Sequence, residues 1–298
     1  MNPTVLVVDG HNAVWRGFYA INGYTGQKEV MTSNDGNDTS AIKGFVNIFM
    51  SDVRKSKATH SAVVFDKPGE TRHHEIYPEY KANREQSETS ERVSSQIPTV
   101  RLLLKAMGVK VYGKRGIEGD DISGSIAYQM AQAGNNVVIS SNDKDFAALV
   151  SSKVKLLWPK ADKLAGAEEV EEKFGVPPSQ IVDYLALLGD KVDNVPGMPG
   201  IGGKTAVELL KKYGSIPNIY KHLSELTPKK RETFLENKEQ CKISRKLITL
   251  DVNAVTVDLK KLEFQEPDFD EIRHICRELG FDQTYGQILK FLEQRGFK

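Results

Sequence analysis

Cysteine is scarce: only Cys241 and Cys276 occur in 298 residues, too few for a disulfide framework, and they are not spaced as a Cys-x-x-Cys metal site. Two reduced thiols in a cytoplasmic protein are expected, and Cys276, among Ile272, Ile275 and Leu279 at helical spacing, suits an apolar helix face. No apolar run approaches the ~18 residues of a membrane span, and residues 1–6 lack the basic start of a secretory signal. An excess of one charge is missing too. Lys and Arg number 41 against 40 Asp and Glu, leaving +1, which excludes a polycationic protein and requires any nucleic-acid affinity to come from local patches. What is present is ordinary globular composition, 39% hydrophobic and 27% charged, in a length that suits one large domain and a smaller one.

The first two thirds alternate short β-rich runs with helix-period segments. Val5–Val8, Ala62–Phe65, Val109–Tyr112 and Val137–Ile139 read as strands, and Val154–Trp158 as an edge strand. Residues 39–53, a segment ending near Leu104–Met107, and residues 120–133 read as amphipathic helices. Such alternation predicts an α/β fold with a mostly parallel sheet flanked by helices. After Trp158 the β signal fades and the chain turns helical, with a boundary placed near Pro177–Pro178. The expected domains are therefore residues 1–176 and 177–298. Residues 67–98 hold only six apolar side chains in 32, and a connection that long inside a compact domain is functional or disordered.

In an open parallel sheet, ligands bind beyond the carboxyl ends of the strands. At that edge the sequence places Asp9, then Asp66, then Glu118, Asp120 and Asp121, then Asp143 and Asp145. A helix over residues 180–188, ended by Gly189, adds Asp190 and Asp193. Any one of these is readily explained as a helix cap or loop residue; the repetition at four successive strand ends is not. Two carboxylates ~4 Å apart repel by about 4 kcal/mol at an effective dielectric near 20, so a convergent set must bind protons or cations. Oxygen donors without His or Cys select Mg²⁺ first and Mn²⁺ second. More than four carboxylates imply two ions, the recurring arrangement for in-line attack on a phosphodiester.

Residues 197–205 look like a phosphate loop but fail its spacing, because Met198 stands where glycine is required, and no strand precedes them. A helix, a Gly/Pro-rich turn and a helix opening at Lys204-Thr205 instead predict a helix-hairpin-helix, whose backbone N–H groups face a DNA phosphate without reading bases. Charge agrees. Residues 199–231 carry seven basic groups, including Lys204, Lys211 and Lys212, and two acidic ones, +5 against −4 for the rest of the chain.

Five segments in order, Val7-Val8-Asp9-Gly10, Arg72 through Tyr77-Pro78-Glu79-Tyr80-Lys81-Ala82-Asn83-Arg84, Gly116-Ile117-Glu118-Gly119-Asp120-Asp121, Ser140-Ser141-Asn142-Asp143-Lys144-Asp145 and Leu188 through Gly197, resemble the 5′-nuclease (flap endonuclease) family. That family includes the 5′→3′ exonuclease domain of bacterial DNA polymerase I and freestanding bacteriophage enzymes. The resemblance runs from about residue 4 to 250. It implies a PIN-like or resolvase-like catalytic domain, a helical arch over residues 67–98, and, in a chain ending at Lys298, a freestanding nuclease.

The resemblance also implies roles. Asp9, Asp66, Glu118, Asp120, Asp121 and Asp143 fall where the family holds a first metal, and Asp145, Asp190 and Asp193 where it holds a second. Lys81 and Arg84 match arch residues that contact the scissile phosphate. Arg16 and Phe18 match positions near the 5′ nucleotide, and Arg72 and Tyr80 are further expected DNA contacts. The turn with Gly200, Gly202, Gly203, Lys204 and Thr205 matches the hairpin that holds duplex phosphates and whose carbonyls also hold K⁺. Residues 85–91 depart from the Pro-containing segment usual after Arg84 in polymerase-linked relatives. The expected enzyme is a cytoplasmic, monomeric, Mg²⁺-dependent 5′→3′ exonuclease and flap endonuclease of replication or repair. It acts on nicked or branched duplex DNA with a 5′ end, with RNA primers on DNA compatible. His73 and His74 are expected to be solvated and His11 structural. The alternative from another class is a non-catalytic, structure-specific DNA-binding protein; an Asp-nucleophile phosphatase lacks the second Asp two residues after Asp9.

Overall fold

The computed structural model describes residues 2–23, 31–84, 87–159 and 163–298. Five parallel strands, β1 (Thr4–Asp9), β2 (His60–Val64), β3 (Lys110–Tyr112), β4 (Asn136–Ser140) and β5 (Val154–Leu157), form one sheet in the order β3-β2-β1-β4-β5. The near-continuous Val/Ile/Leu runs of β1 and β4 follow from this, since a strand covered on both faces has no polar side. Val5, Leu6, Val7 and Val8 are all fully buried.

Helices α1 (Gly10–Asn22), α2 (Ser40–Ser56), α3 (Arg72–Ile76), α4 (Glu88–Ser94), α5 (Ile97–Ala106) and α6 (Gly119–Gln132) connect and flank the first strands. The pair α1 and α2 packs closely because Gly17 and Gly44 meet backbone to backbone, where a Cβ on either would collide with the other. Helices α7 (Ala167–Phe174), α8 (Ile181–Leu188), α9 (Gly203–Tyr213), α10 (Ile216–Lys221), α11 (Pro228–Glu236) and α12 (Lys238–Ile248) build the helical part. Finally α13 (Phe269–Glu278) and α14 (Asp282–Glu293) return to the first half. Phe291 meets Phe49 edge-to-face, and the Arg295 guanidinium bonds the Ala58 carbonyl.

Two cores result, one on each sheet face. One contains Val5, Val7, Ile122, Ile139 and the buried faces of α8 to α12; the other contains Leu6, Val8, α2, α5, α13 and α14. Both cysteines are buried and free, and burial pushes each thiol up to about 11. Among the described residues no helix is long and apolar enough to cross a membrane.

Candidate active site

The carboxyl ends of β1, β2 and β4 and the start of α6 converge on one pocket. Asp9 ends β1 and caps α1, accepting from the Asn12 N–H at 3.0 Å and the Ser141 hydroxyl at 2.9 Å. Asp66, exposed, follows β2 and accepts from the Gly119 N–H at 2.5 Å. Glu118, 6% exposed, precedes α6 and accepts from the Thr71 hydroxyl at 2.7 Å. Asp143 and Asp145 follow β4, where the Asp143 carboxylate accepts from the Asp145 N–H. Asp190 and Asp193 sit on a loop opened by Gly189, whose φ of 72° suits glycine, and closed by reciprocal backbone bonds between Asp190 and Val195 at 2.8 and 2.7 Å.

Electrostatics show that these groups share a field. Burial pushes the Asp9 carboxyl up to about 6, helped by Asp143 and Asp66. Burial and then Asp143, Asp9 and Asp66 hold Asp120 well above its ordinary value; burial and then Asp143 do the same to Asp145. Asp143 is raised by burial and by Asp193 and Asp190. It therefore lies between the Asp9 group and the Asp190 group.

Side-chain cations hold part of this charge. Lys81 Nζ lies 2.7 Å from Glu118 Oε2, Arg84 2.5 Å from Asp193 Oδ1, and Lys144 Nζ 2.9 Å from Asp190 Oδ2. Burial opposes the charge on Glu118, but Lys81 and the Thr71 hydroxyl together pull the carboxyl below its usual range; Lys144 with the Val192 and Asp193 N–H groups does the same for Asp190. The segment carrying Lys81 and Arg84 is stitched to the 190–194 loop. The Lys81 N–H donates to the Asp193 carbonyl at 3.0 Å, Asn83 Nδ2 to the Lys191 carbonyl at 2.6 Å, and Asn194 Nδ2 to the Glu79 carbonyl at 2.7 Å. Lys81 and Asn194 both adopt positive φ, 57° and 54°, a backbone strain of the kind concentrated at functional sites.

Several sequence expectations are corrected. Asp121 is buried on another side of α6, accepting from the Asp251 N–H at 2.7 Å and facing Arg72 at 3.4 Å. It does not join the shared pocket, because neighbouring helical residues point ~100° apart. Phe18 is 4% exposed in the second core, with the Arg92 guanidinium over its ring, so it offers no face to a nucleotide. Tyr80, 6% exposed, is not a surface contact either; its hydroxyl donates to Asp193 at 3.3 Å. His73 is not solvated: at 4% exposure it stacks on Tyr80 and bonds the Leu247 carbonyl through Nε2, because α3 packs against α12. His74 is half-buried and its Nδ1 accepts from the Thr71 N–H. His11 Nδ1 accepts from the Asp66 N–H at 3.2 Å, and burial lowers its pKa, so the neutral ring holds that backbone in place.

The remaining sequence candidates lie around the pocket. Arg16 reaches the Ser140 hydroxyl at 3.2 Å. Gly200, Gly202 and Gly203 shape the turn into α9, at whose start Lys204 is exposed and Thr205 half-buried; Lys211 and Lys212 are exposed, with Lys212 paired to Glu225 at 2.9 Å. Glu85 and Gln86, in the divergent segment after Arg84, lie outside the described residues. Missed by sequence reasoning were Trp15 and Tyr19, stacked at 5.8 Å and lining a cleft of about 700 Å³ with Asn12, Arg16 and Asn142 beside Asp9. Their i, i+4 spacing on the half-buried face of α1 was the available signal.

Among the described residues, no three His, Cys, Asp or Glu side chains form a ready-made metal cage. The donor set nonetheless fits divalent cations. It is all oxygen, and Asp9, Asp120, Asp143 and Asp145 are held raised by burial and mutual repulsion with too little positive charge to neutralise them.

Comparison with known proteins gives the family and the fold. Residues 4–175 match the model of the 5'-3' exonuclease N-terminal resolvase-like domain, and residues 176–270 that of the 5'-3' exonuclease C-terminal SAM fold. The chain is 35% identical over 292 residues to a 5'-3' exonuclease of Aquifex aeolicus, covering 98% of this chain and 97% of that one. It is 33% identical over 284 residues to DNA polymerase I of Bacillus subtilis, where the match covers 93% of this chain and 31% of the polymerase. Among solved structures, zinc-bound T5 5'-exonuclease has a TM-score of 0.69 at 21% identity, covering 97% of this chain and 99% of that chain. The catalytic core of Rad2 in complex with DNA has a TM-score of 0.63 at 16% identity, covering 98% and 93%.

Proposed function

The chain belongs to the 5'-3' exonuclease family, and we propose that it is a structure-specific 5′-nuclease acting on 5′ ends and flaps of duplex DNA. Support comes chiefly from one observation: a half-buried, self-repelling, all-oxygen pocket with Lys81 and Arg84 stationed on two of its carboxylates. Asp9, Asp66, Glu118, Asp120 and Asp143 would hold one Mg²⁺, and Asp145, Asp190 and Asp193 a second, with Asp143 between them and Glu118 also paired to Lys81. Mn²⁺ would substitute. Bound there, the ions would supply an ionised water at neutral pH and neutralise charge on the phosphodiester, giving a 5′-phosphate and a 3′-hydroxyl.

The chain's own groups do the rest. Lys81 and Arg84 exchange their carboxylates for the phosphoryl oxygens of the strand, stabilising charge that develops during attack. Gly119 N–H and His11 fix Asp66, and Ser141 and Asn12 fix Asp9. The stacked Trp15–Tyr19 pair offers a platform for an unpaired base beside Asp9. In the helical part, α8 packs against α9 around the Gly200–Thr205 turn, which we read as a helix-hairpin-helix facing duplex phosphates and, through its carbonyls, K⁺. A division near residue 177, monomeric action in the cytoplasm and removal of RNA primers on DNA complete the proposal. Digestion of matched 5′-flap, nicked-duplex and RNA–DNA substrates with Mg²⁺ tests it. Flap product is expected from the native chain and none from Asp66→Asn with Asp145→Asn; flap binding without product in the native chain would overturn it.

A further inference from the structure

A groove remote from the carboxylate pocket in chemistry runs between α5 and β3. Ile97, Pro98, Leu102, Val109 and Val111 line its floor, and Arg101, Lys105 and Lys110 its rim, enclosing about 620 Å³, within the range of specific binding clefts. Leu102 is 53% exposed, one of four large hydrophobic side chains so placed among the described residues. Exposed apolar surface ringed by polar groups marks an interaction site. The strand β3 is outermost in the sheet, so its free side is open to pairing with another chain. Lys105 and Lys110 are exposed, and among the described residues no carboxylate pairs with either of them or with Arg101.

We propose that this groove docks an acidic peptide segment of a partner protein, carrying an aliphatic or aromatic anchor that covers Leu102. Charge complementarity selects the occupant: the lining has three cations and no carboxylate, so an anionic segment is steered in and a cationic one rejected. The absence of aromatic lining separates it from a nucleic-acid track, which stacks bases on rings; the cleft beside Asp9, with Trp15 and Tyr19, has that chemistry and this groove does not. An extended segment would bond the open side of β3 while its anchor fills the aliphatic floor, as in strand-addition recognition. The inference goes beyond the nuclease reading and does not depend on it.

The test uses the full chain and a short fluorescein-labelled peptide in which Asp and Glu flank a Leu-Phe pair. Anisotropy should show saturable binding. Lys105→Glu with Lys110→Glu should weaken it by about tenfold or more, Leu102→Ser should weaken it several-fold, and melting temperature and 5′-flap cleavage should stay as in the native chain. Replacing the peptide's Leu-Phe by Ser-Ser should also weaken binding. The proposal is overturned by no binding at millimolar peptide, by equal binding of the Ser-Ser peptide, or by unchanged affinity in the variants. It is overturned too if the variants lose binding of labelled oligothymidylate instead.

Discussion

The carboxyl edge of the sheet and the outer surface of α9 to α12 carry opposite charge in opposite ways. At the sheet edge, carboxylates are mostly half-buried, crowded and fixed by backbone N–H groups, hydroxyls and three cations. On α9, Lys204, Lys211 and Lys212 extend into solvent from a helix whose other face, with Ala206, Leu209 and Leu210, packs into the core. The first arrangement stores repulsion in rigid positions and has meaning only with added positive charge. The second costs the fold little and adds affinity without demanding geometry. Chemistry is concentrated where charge is unfavourable; attachment is spread where charge is tolerated.

The comparison breaks first at the pocket. Asp66→Asn with Asp145→Asn should slow Mg²⁺-dependent flap cleavage by about 10⁴-fold or more, with flap binding in Ca²⁺ retained; single-turnover rates measure the first and anisotropy the second. Lys81→Ala should lower turnover by about 10²–10³-fold while changing flap affinity little, since Lys81 is held in the pocket and not on the outer surface. A larger loss of affinity than of turnover would make it a tether.

Stability sharpens the contrast. Asp9 is raised from 3.8 to about 6, so between those values the folded chain holds a proton that the unfolded chain has lost. The metal-free fold is therefore favoured at low pH, and stability is lost as pH rises through 6, by about 3 kcal/mol at about 1.4 kcal/mol per pH unit. Asp120, Asp143 and Asp145 act in the same direction, while Glu118 and Asp190, both lowered, lose stability only in stronger acid. Melting of metal-free protein between pH 4 and 7 should show the fall, and Mg²⁺ at pH 7 should reverse it. The smallest effect belongs to the outer surface: Lys211→Ala with Lys212→Ala should reduce the salt slope of DNA binding by about two, with Mg²⁺-saturated chemistry unchanged.

The sheet was legible because its strands are apolar on both faces, and the carboxylates because Asp9 and Asp66 follow such runs directly, with Asp143 and Asp145 soon after another. What escaped was orientation. Asp120 and Asp121 are adjacent in one motif, yet only the first enters the pocket, and nothing local distinguishes them before the partner at Asp251 is known. Phe18 matches by resemblance an aromatic position near the 5′ nucleotide, yet it is buried, and Trp15 and Tyr19 occupy the half-buried face. Residues 67–98 are poor in apolar side chains and read as a functional or disordered connection, with His73 and His74 solvated, but hydrogen bonds and ion pairs, which leave no periodicity, pin residues 79–84 to the 190–194 loop. The return of α13 and α14 onto α2 and α5 is a long-range packing event invisible to local pattern.

Calorimetric titration of metal-free protein with Mn²⁺ at pH 6, in two buffers of different ionisation heat, addresses the central claim most directly. Two ions should bind per chain with net release of protons from the raised carboxyls. Saturation without proton release, or no binding at millimolar Mn²⁺, would contradict it.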